Sequence, residues 1–452
     1  MADDARKTAL TVLNTLDSHQ KTLDCVLDEV IDHDSSFSRR DRALAYALVY
    51  GVLRWRGRLD RIVHHFSKTP LHAIDPSVLN ILRLGLFQII YLNRVPDSAA
   101  VNTSVEMAKA FSAPWVVRYV NAVLRNAVRG YQNVSFPDMD KNPVSALAAE
   151  KSFPEWLIRR WLKRFGSDET VELCDAINTI PPITVRTNVL KIRRDELVNA
   201  LGTDADNVEP TGTSPVGISF SNPKRPIFEI KSFQKGCFQV QDEAAQLATF
   251  LLNPKPGSIV LDACAGLGGK TGHIAQLMKN HGRVVAMDKN KEKLLQLETE
   301  MKRLGISIVS SRVHDLDNPP PLDGFEMFDG ILLDAPCSGL GVLRRNPDTK
   351  WSVSENAFSR HRERQVKFIE NLAHLVKPSG VLVYTVCSTE PEENQDVVNV
   401  FLDKHPDFAI DNDSTVLPKQ ARPLVGETGF FWTFPHLNNM DGFFAVRLKR
   451  IK

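Results

Sequence analysis

The stretch LDACAGLGGKTGHIAQLM, Leu261 to Met278, reads as a strand, a glycine turn and a helix. Such a turn lets backbone N–H groups approach a ligand closely at a helix N-terminus. Two familiar nucleotide loops fail here. A P-loop needs glycine five residues before Gly269, and Cys264 stands there. A dinucleotide G-x-G-x-x-G starting at Gly266 needs a third glycine where Thr271 stands. What remains is a ligand loop with no required phosphate.

Working outward, the strand candidates are SIVLDAC, RVVAMD, ISIVSSRVHD, DGILLDAP and GVLVYTVCS, with helical stretches between successive strands. This βαβ rhythm predicts a Rossmann-like parallel sheet covered on both faces from about residue 236 to 452. The last strand, GFFAVRLKR, has no helix after it and is expected to run antiparallel. Asp288, 22 residues after Gly266, ends the second strand, Asp315 the third and Asp334 the fourth. A single aspartate there is usually an ordinary helix cap. Three together, at the strand ends where such sheets bind ligands, match a polyphosphate poorly. They suit a nucleoside with hydroxyls and a positive charge, and S-adenosylmethionine fits that description.

Two cysteines end apparent buried strands, Cys337 in DAPCSG and Cys387 in TVCS. A small buried hydrophobe is the usual fate of a free cysteine, and that reading serves Cys25, Cys174 and Cys237. With a sulfonium methyl donor, a thiol has a specific use. Cytosine C5 is a poor nucleophile until a thiolate adds to C6. Covalent catalysis then splits one inaccessible step into several easier ones. Lys270 and nearby helix N-termini would favour the thiolate. Asp334, if protonated by burial, could donate to N3 of the base as charge develops there.

The 452 residues are 43% hydrophobic and 24% charged, enough to build cores without staples. The six cysteines form no C-x-x-C pair or zinc-ligand spacing, so no metal is expected and a reducing cytoplasm is. The N-terminus lacks an apolar signal region. The most apolar stretch, from Val78, is interrupted by Arg83 and too short to span a bilayer, so it reads as a buried helix.

Residues 1–132 read as helix, with Ala9, Val12, Leu13 and Leu16 at helical spacing and a capping box expected at Thr103 and Glu106. Arginines cluster at Arg39, Arg40 and Arg42, at Arg54, Arg56, Arg58 and Arg61, and at Arg118, Arg125 and Arg129. Arg344, Arg345 and Lys350 are candidate phosphate contacts beside the pocket. YQNVSFPDMDKNP is a linker, and residues 145–235 read as a small α+β connector.

DRALAYALVYGVLRWRGRLD, DPSVLNILRLGLFQIIYL and VRYVNAVLRNAVR resemble the RNA-binding fold of the antitermination factor NusB. DAPCSG with TVCS, CAGLGGKT, GCFQVQDEAAQLA and RRNPDTKW resemble the RNA cytosine-5 methyltransferase family over residues 145–452. The two together resemble the bacterial members that act on 16S ribosomal RNA. The resemblance implies that Cys264, Ala265, Gly266, Leu267, Gly268, Gly269, Lys270, Asp288, Asp315 and Asp334 hold S-adenosylmethionine. It makes Cys387 the nucleophile, with Cys337 assisting product release and Lys270 and Asp334 in the catalytic set. A Pro-Cys nucleophile, as in DNA cytosine-5 enzymes, would point to Cys337 instead. Gly266-Leu267 departs from the family's usual Ala-Pro. The expected partner is 16S ribosomal RNA or a small-subunit assembly intermediate, not DNA or a membrane, and a monomer is expected. The alternatives are the same chemistry on transfer RNA, or a non-catalytic assembly factor.

Overall fold

The computed structural model describes residues 2–18, 21–32, 37–110, 113–321 and 327–451. By compactness the chain divides into two units, Met1–Thr179 with Leu343–Glu355, and Ile180–Val342 with Asn356–Lys452.

The first unit is helical. Its long helices are Ala2–Asp17, Arg39–Phe66, Pro76–Tyr91, Asp97–Ala108 and Pro114–Gly130. Pro76–Tyr91 starts where Asp75 accepts hydrogen bonds from the Ser77 and Val78 N–H groups, with proline in the first turn. It is the buried helix expected from its apolar run, with Ile81, Leu82, Leu84 and Leu86 fully buried. Arg83 stays in that core because Asp60 takes its guanidinium with both oxygens, at 2.7 and 2.8 Å. The expected capping box is not formed. The helix starts six residues earlier, at Asp97, and the Thr103 hydroxyl bonds back to the Ala99 carbonyl. Helices Pro143–Lys151, Glu155–Phe165 and Ser167–Asn178, read from sequence as part of the connector, belong to this unit.

Leu343–Glu355 also belongs to this unit, which corrects one expectation. Lys350 is fully buried, with its ammonium 2.7 Å from Asn178 Oδ1 and 3.7 Å from the Phe153 ring centroid. Arg344 is buried too, and its carbonyl accepts from Arg54. Trp351 donates from its indole to the Leu53 carbonyl. Buried side chains cannot meet a phosphate, so Arg344 and Lys350 are structural. Burial pushes the Lys350 ammonium well below its ordinary range.

The second unit carries two sheets. The smaller is antiparallel, ordered β2-β3-β1-β4, with β1 Ile183–Thr187, β2 Asp206–Pro210, β3 Gly217–Ser221 and β4 Phe238–Val240. The larger comprises β5 Ile259–Ala263, β6 Arg283–Asp288, β7 Val309–Val313, β8 Phe328–Asp334, β9 Val376–Val386, β10 Phe408–Ile410, β11 Phe430–Thr433 and β12 Phe443–Arg450. Its order is β10-β12-β9-β8-β5-β6-β7, with β11 added to β12. The five strands from β9 to β7 are parallel, as the βαβ rhythm predicts, and β12 runs antiparallel to β9. The strand order reverses between β5 and β8. Ligands bind such sheets at that switch point, beyond the carboxyl ends of the strands. Both the glycine turn after β5 and Cys337 after β8 lie there.

Arg186 of β1 ties the small sheet to this end of the large one. It is fully buried and donates to Gln241, to Gln239 at 2.7 Å, to Gln276 at 3.1 Å and to the Gly269 carbonyl at 2.7 Å. Beside it His273 is fully buried, its ring edge-on to Phe250. Burial first, and the Arg186 charge second, pull its imidazole well below the ordinary value.

Two outcomes are expected. Arg186→Leu orphans three buried glutamine side chains and should cost about 3 kcal/mol in urea unfolding. His273 stays neutral in the folded chain but takes a proton in the unfolded chain below about pH 6.5. It therefore removes stability as pH falls through that value and has no effect above it. The urea midpoint of His273→Leu should fall less between pH 7.5 and 5 than that of the parent.

Candidate functional site

The turn after β5 is shaped by three left-handed residues, Cys264 at φ 64°, Gly266 at φ 55° and Gly268 at φ 85°. Gly268 is also pinned sterically, since a Cβ there would sit 2.7 Å from Leu297. Thr271, in the first turn of the following helix, donates at 2.6 Å to the buried Asp262 of β5. Burial pushes the Asp262 carboxyl up to about 7, against the Thr271 hydrogen bond. The Gly266 N–H donates to Asp288 Oδ2 at 2.9 Å, and the Asn290 N–H to its Oδ1 at 2.8 Å. Asp288 is therefore not the cap of the next helix. Asn290 is, through the Lys293 N–H.

Beside this turn lies a cavity of about 250 Å³ lined by Cys264, Met287, Asp288, Asp315, Pro336 and Phe368, among others. Asp288 and Asp315 share the lining with the apolar Met287, Pro336 and Phe368 and with the basic Lys289, Lys293, His314 and Arg364. Carboxylates accept hydrogen bonds from ribose hydroxyls, and the apolar side chains suit the faces of a purine ring. No phosphate is required by this set, and the residues present fit S-adenosylmethionine.

The third strand-end aspartate does something else. Asp334 Oδ2 lies 2.5 Å from Lys270 Nζ, and the ammonium is 5.1 Å from the Phe443 ring centroid. Burial works against the Lys270 charge, but Asp334 and the Cys387 sulfur more than offset it and hold the ammonium above its ordinary value. The carboxyl expected to donate to the base here accepts from the Lys270 ammonium.

The two thiols meet. Cys337 Sγ lies 3.4 Å from Cys387 Sγ. The parallel strands β8 and β9 set this up, with Asp334 level with Thr385 and the Ala335 N–H on the Thr385 carbonyl at 3.0 Å. Beyond the strands the Gly341 N–H reaches the Cys387 carbonyl at 3.0 Å. A Cβ on Gly341 would lie 1.8 Å from the Gly442 carbonyl oxygen, so only glycine permits that approach. The hydrogen bond with Cys387, then burial, hold the Cys337 thiol well above its ordinary value.

The site residues read from sequence thus divide between two places. Cys264, Asp288 and Asp315 line the cavity. Lys270, Asp334, Cys337 and Cys387 gather at the carboxyl ends of β8 and β9. Ala265, Gly266, Gly268 and Gly269 shape the turn without lining the cavity, and Leu267 is exposed. Sequence reasoning missed Phe368 and Arg364, which enter the cavity from helix Ala357–Ala373. Helical periodicity marks only the apolar face of that helix, not what it faces. It also missed Asp262, although LDAC places an acid inside an apolar strand.

Sequence models of three families match the chain: the NusB family over residues 3–129, a Methyltr_RsmF/B-like ferredoxin-like domain over 153–226, and 16S rRNA methyltransferase RsmB/F over 249–449. The chain is 36% identical over 447 residues to a probable ribosomal RNA small subunit methyltransferase B of Bacillus subtilis, covering 98% of each chain. It is 33% identical to a protein of the same description from Synechocystis, covering 99% of each. A solved structure described as that of PH0851 superposes with a TM-score of 0.82 at 27% identity, covering 99% of this chain and 98% of the other. With the NusB helices, the ferredoxin-like sheet and the paired-thiol sheet all in place, the chain belongs to the RsmB/F family of S-adenosylmethionine-dependent methyltransferases.

Proposed function

We propose that this protein methylates C5 of a cytosine in 16S ribosomal RNA through a transient bond between Cys387 and C6. The observation that carries this reading is the sulfur pair, 3.4 Å apart, next to the Lys270–Asp334 ion pair. A single thiol would serve a buried strand end. Two in contact, beside a cation and at the ligand end of the sheet, serve a bond that must be made and then broken.

The Cys387 thiolate adds to C6, and the ring electrons move toward N3. Asp334 relays a proton there from Lys270, which makes C5 nucleophilic. S-adenosylmethionine, held beside Asp288 and Asp315, would supply the methyl group to C5 by breaking its S–CH3 bond and would leave as the thioether S-adenosylhomocysteine. C5 then carries both a methyl group and a hydrogen, and the C6–S bond has to break. Cys337, held as a thiol, donates its proton to the departing Cys387 sulfur. The Cys337 thiolate so formed takes the proton from C5, and the C5=C6 double bond returns. The N3 proton goes back through Asp334 to Lys270, and Cys387 resets by losing a proton to solvent.

Helix Pro114–Gly130 supports RNA binding by the first unit. Arg118, Arg125 and Arg129 are spaced seven and four residues apart, which puts them on one face, and all three are exposed. Arg54 and Arg344 of the sequence clusters are buried and structural instead. A cytosine must leave its stack to present C6, and single-stranded loops make that cheapest.

Labelled methyl transfer to 16S transcripts tests the chemistry. Cys387→Ala should lower kcat by roughly a thousandfold or more and form no adduct. Cys337→Ala should accumulate a protein–RNA complex that survives denaturant on a gel. The reverse pattern sinks the assignment of the thiols. Replacing Arg118, Arg125 and Arg129 together by glutamine should flatten the slope of log K against log salt by about 2. Binding of S-adenosylmethionine should not change.

A further inference from the structure

Glu393 is absent from every motif considered above, yet it is completely buried in the short turn Pro391–Glu393 after β9. A buried carboxyl group is costly unless donors surround it. Its Oε1 accepts from the Ser338 N–H at 2.7 Å and from Gln365 Nε2 at 3.3 Å. Its Oε2 accepts from the Ser338 and Ser388 hydroxyls, each at 2.5 Å. Ser338 follows Cys337, and Ser388 follows Cys387. One side chain therefore fastens the residue after each catalytic thiol. Gln365 adds a third tie, since its amide also donates to the Pro336 carbonyl at 2.9 Å, one residue before Cys337. The turn is anchored in its own right, because the buried Tyr384 hydroxyl donates to the Glu393 carbonyl at 2.6 Å.

We propose that Glu393 is the positioning residue for both thiols: its buried side chain clamps the loops after β8 and β9 and fixes the separation at which Cys337 and Cys387 meet. The β8–β9 ladder ends at Asp334 and Thr385, before either cysteine. Past that point the backbone contact between the loops is the Gly341 N–H on the Cys387 carbonyl, four residues beyond Cys337. The serines bridged by Glu393 are the nearest side-chain tie to the sulfurs on both loops. Glu393 also acts on Cys337 electrostatically. After Cys387 and burial, its charge helps hold that thiol protonated. This inference rests on the proposed roles of Cys387 and Cys337 for its catalytic consequence, but not for its geometry.

The test uses the full chain with Glu393→Gln, which keeps the shape but loses the charge and faces an NH2 toward donors, and with Ser388→Ala, which removes one tie. Geometry is read without RNA. Diamide takes the hydrogens of two neighbouring thiols and leaves a disulfide, and peptide mass mapping reports the rate at which Cys337 and Cys387 join. That rate should fall about tenfold or more in Glu393→Gln and less in Ser388→Ala. The pH profile of Cys337 alkylation should move to lower pH in Glu393→Gln, because a neighbouring negative charge has gone. A purely structural role would not produce that shift. With RNA, kcat should fall about tenfold or more while KM for S-adenosylmethionine stays within about twofold, and adduct should accumulate as in Cys337→Ala. An unchanged disulfide rate in folded Glu393→Gln overturns the inference. Slower disulfide formation with unchanged methyl transfer supports the clamp and overturns the roles given to the thiols.

Discussion

The register of β8 against β9 is the constraint on which the site depends. Parallel neighbours lie about 4.8 Å apart, and here Asp334 stands level with Thr385. Each strand then runs on for a few residues before turning, so two cysteines fifty positions apart in sequence arrive at one point. A slip of one residue would turn every side chain of β8 to the opposite face. Ile331 and Leu333 would trade faces with Leu332, so side chains fitted to one core would meet the other. The cores on the two faces of the sheet reach the thiols directly, since Cys337 packs against one and Cys387 against the other.

The electrostatics of the second unit follow from how each charge is kept. Lys270 is largely buried but charged, because Asp334 and the Cys387 sulfur favour its ammonium. Arg186 is buried among amide oxygens and a loop carbonyl, so the turn that shapes the cavity is held from the small sheet behind it. His273 is buried without such partners and stays neutral. Arg186 and Lys270 have acceptors in place and can be carried as charges. His273 can only be carried uncharged.

The same residue type plays opposite parts in the first unit. Arg83 and Arg54 are core ties, bound by Asp60 and by the Arg344 carbonyl respectively. Arg118, Arg125 and Arg129 are exposed along one helix. Charge runs in sequence contain both kinds, and burial alone separates them. Lys350 is the clearest case. It stands in a basic stretch beside the thiol loop in sequence, yet it is packed against Phe153 and Asn178.

Local patterning determined much of this protein. Period-3.6 apolar spacing placed the helices of the first unit, and short apolar runs alternating with helical stretches placed all five parallel strands, since each segment carries these patterns within itself. The glycine turn, the strand-end aspartates and both thiols were legible for the same reason, as short motifs at the ends of such segments. Tertiary structure alone decided what each of them does. It sent Asp288 and Asp315 to the cavity and Asp334 to Lys270, brought Cys337 onto Cys387, and buried Glu393, Arg186 and Lys350 against partners far along the chain. A contact between residues fifty or three hundred positions apart leaves no local period. It exists only once sheet order and packing have placed the two segments side by side.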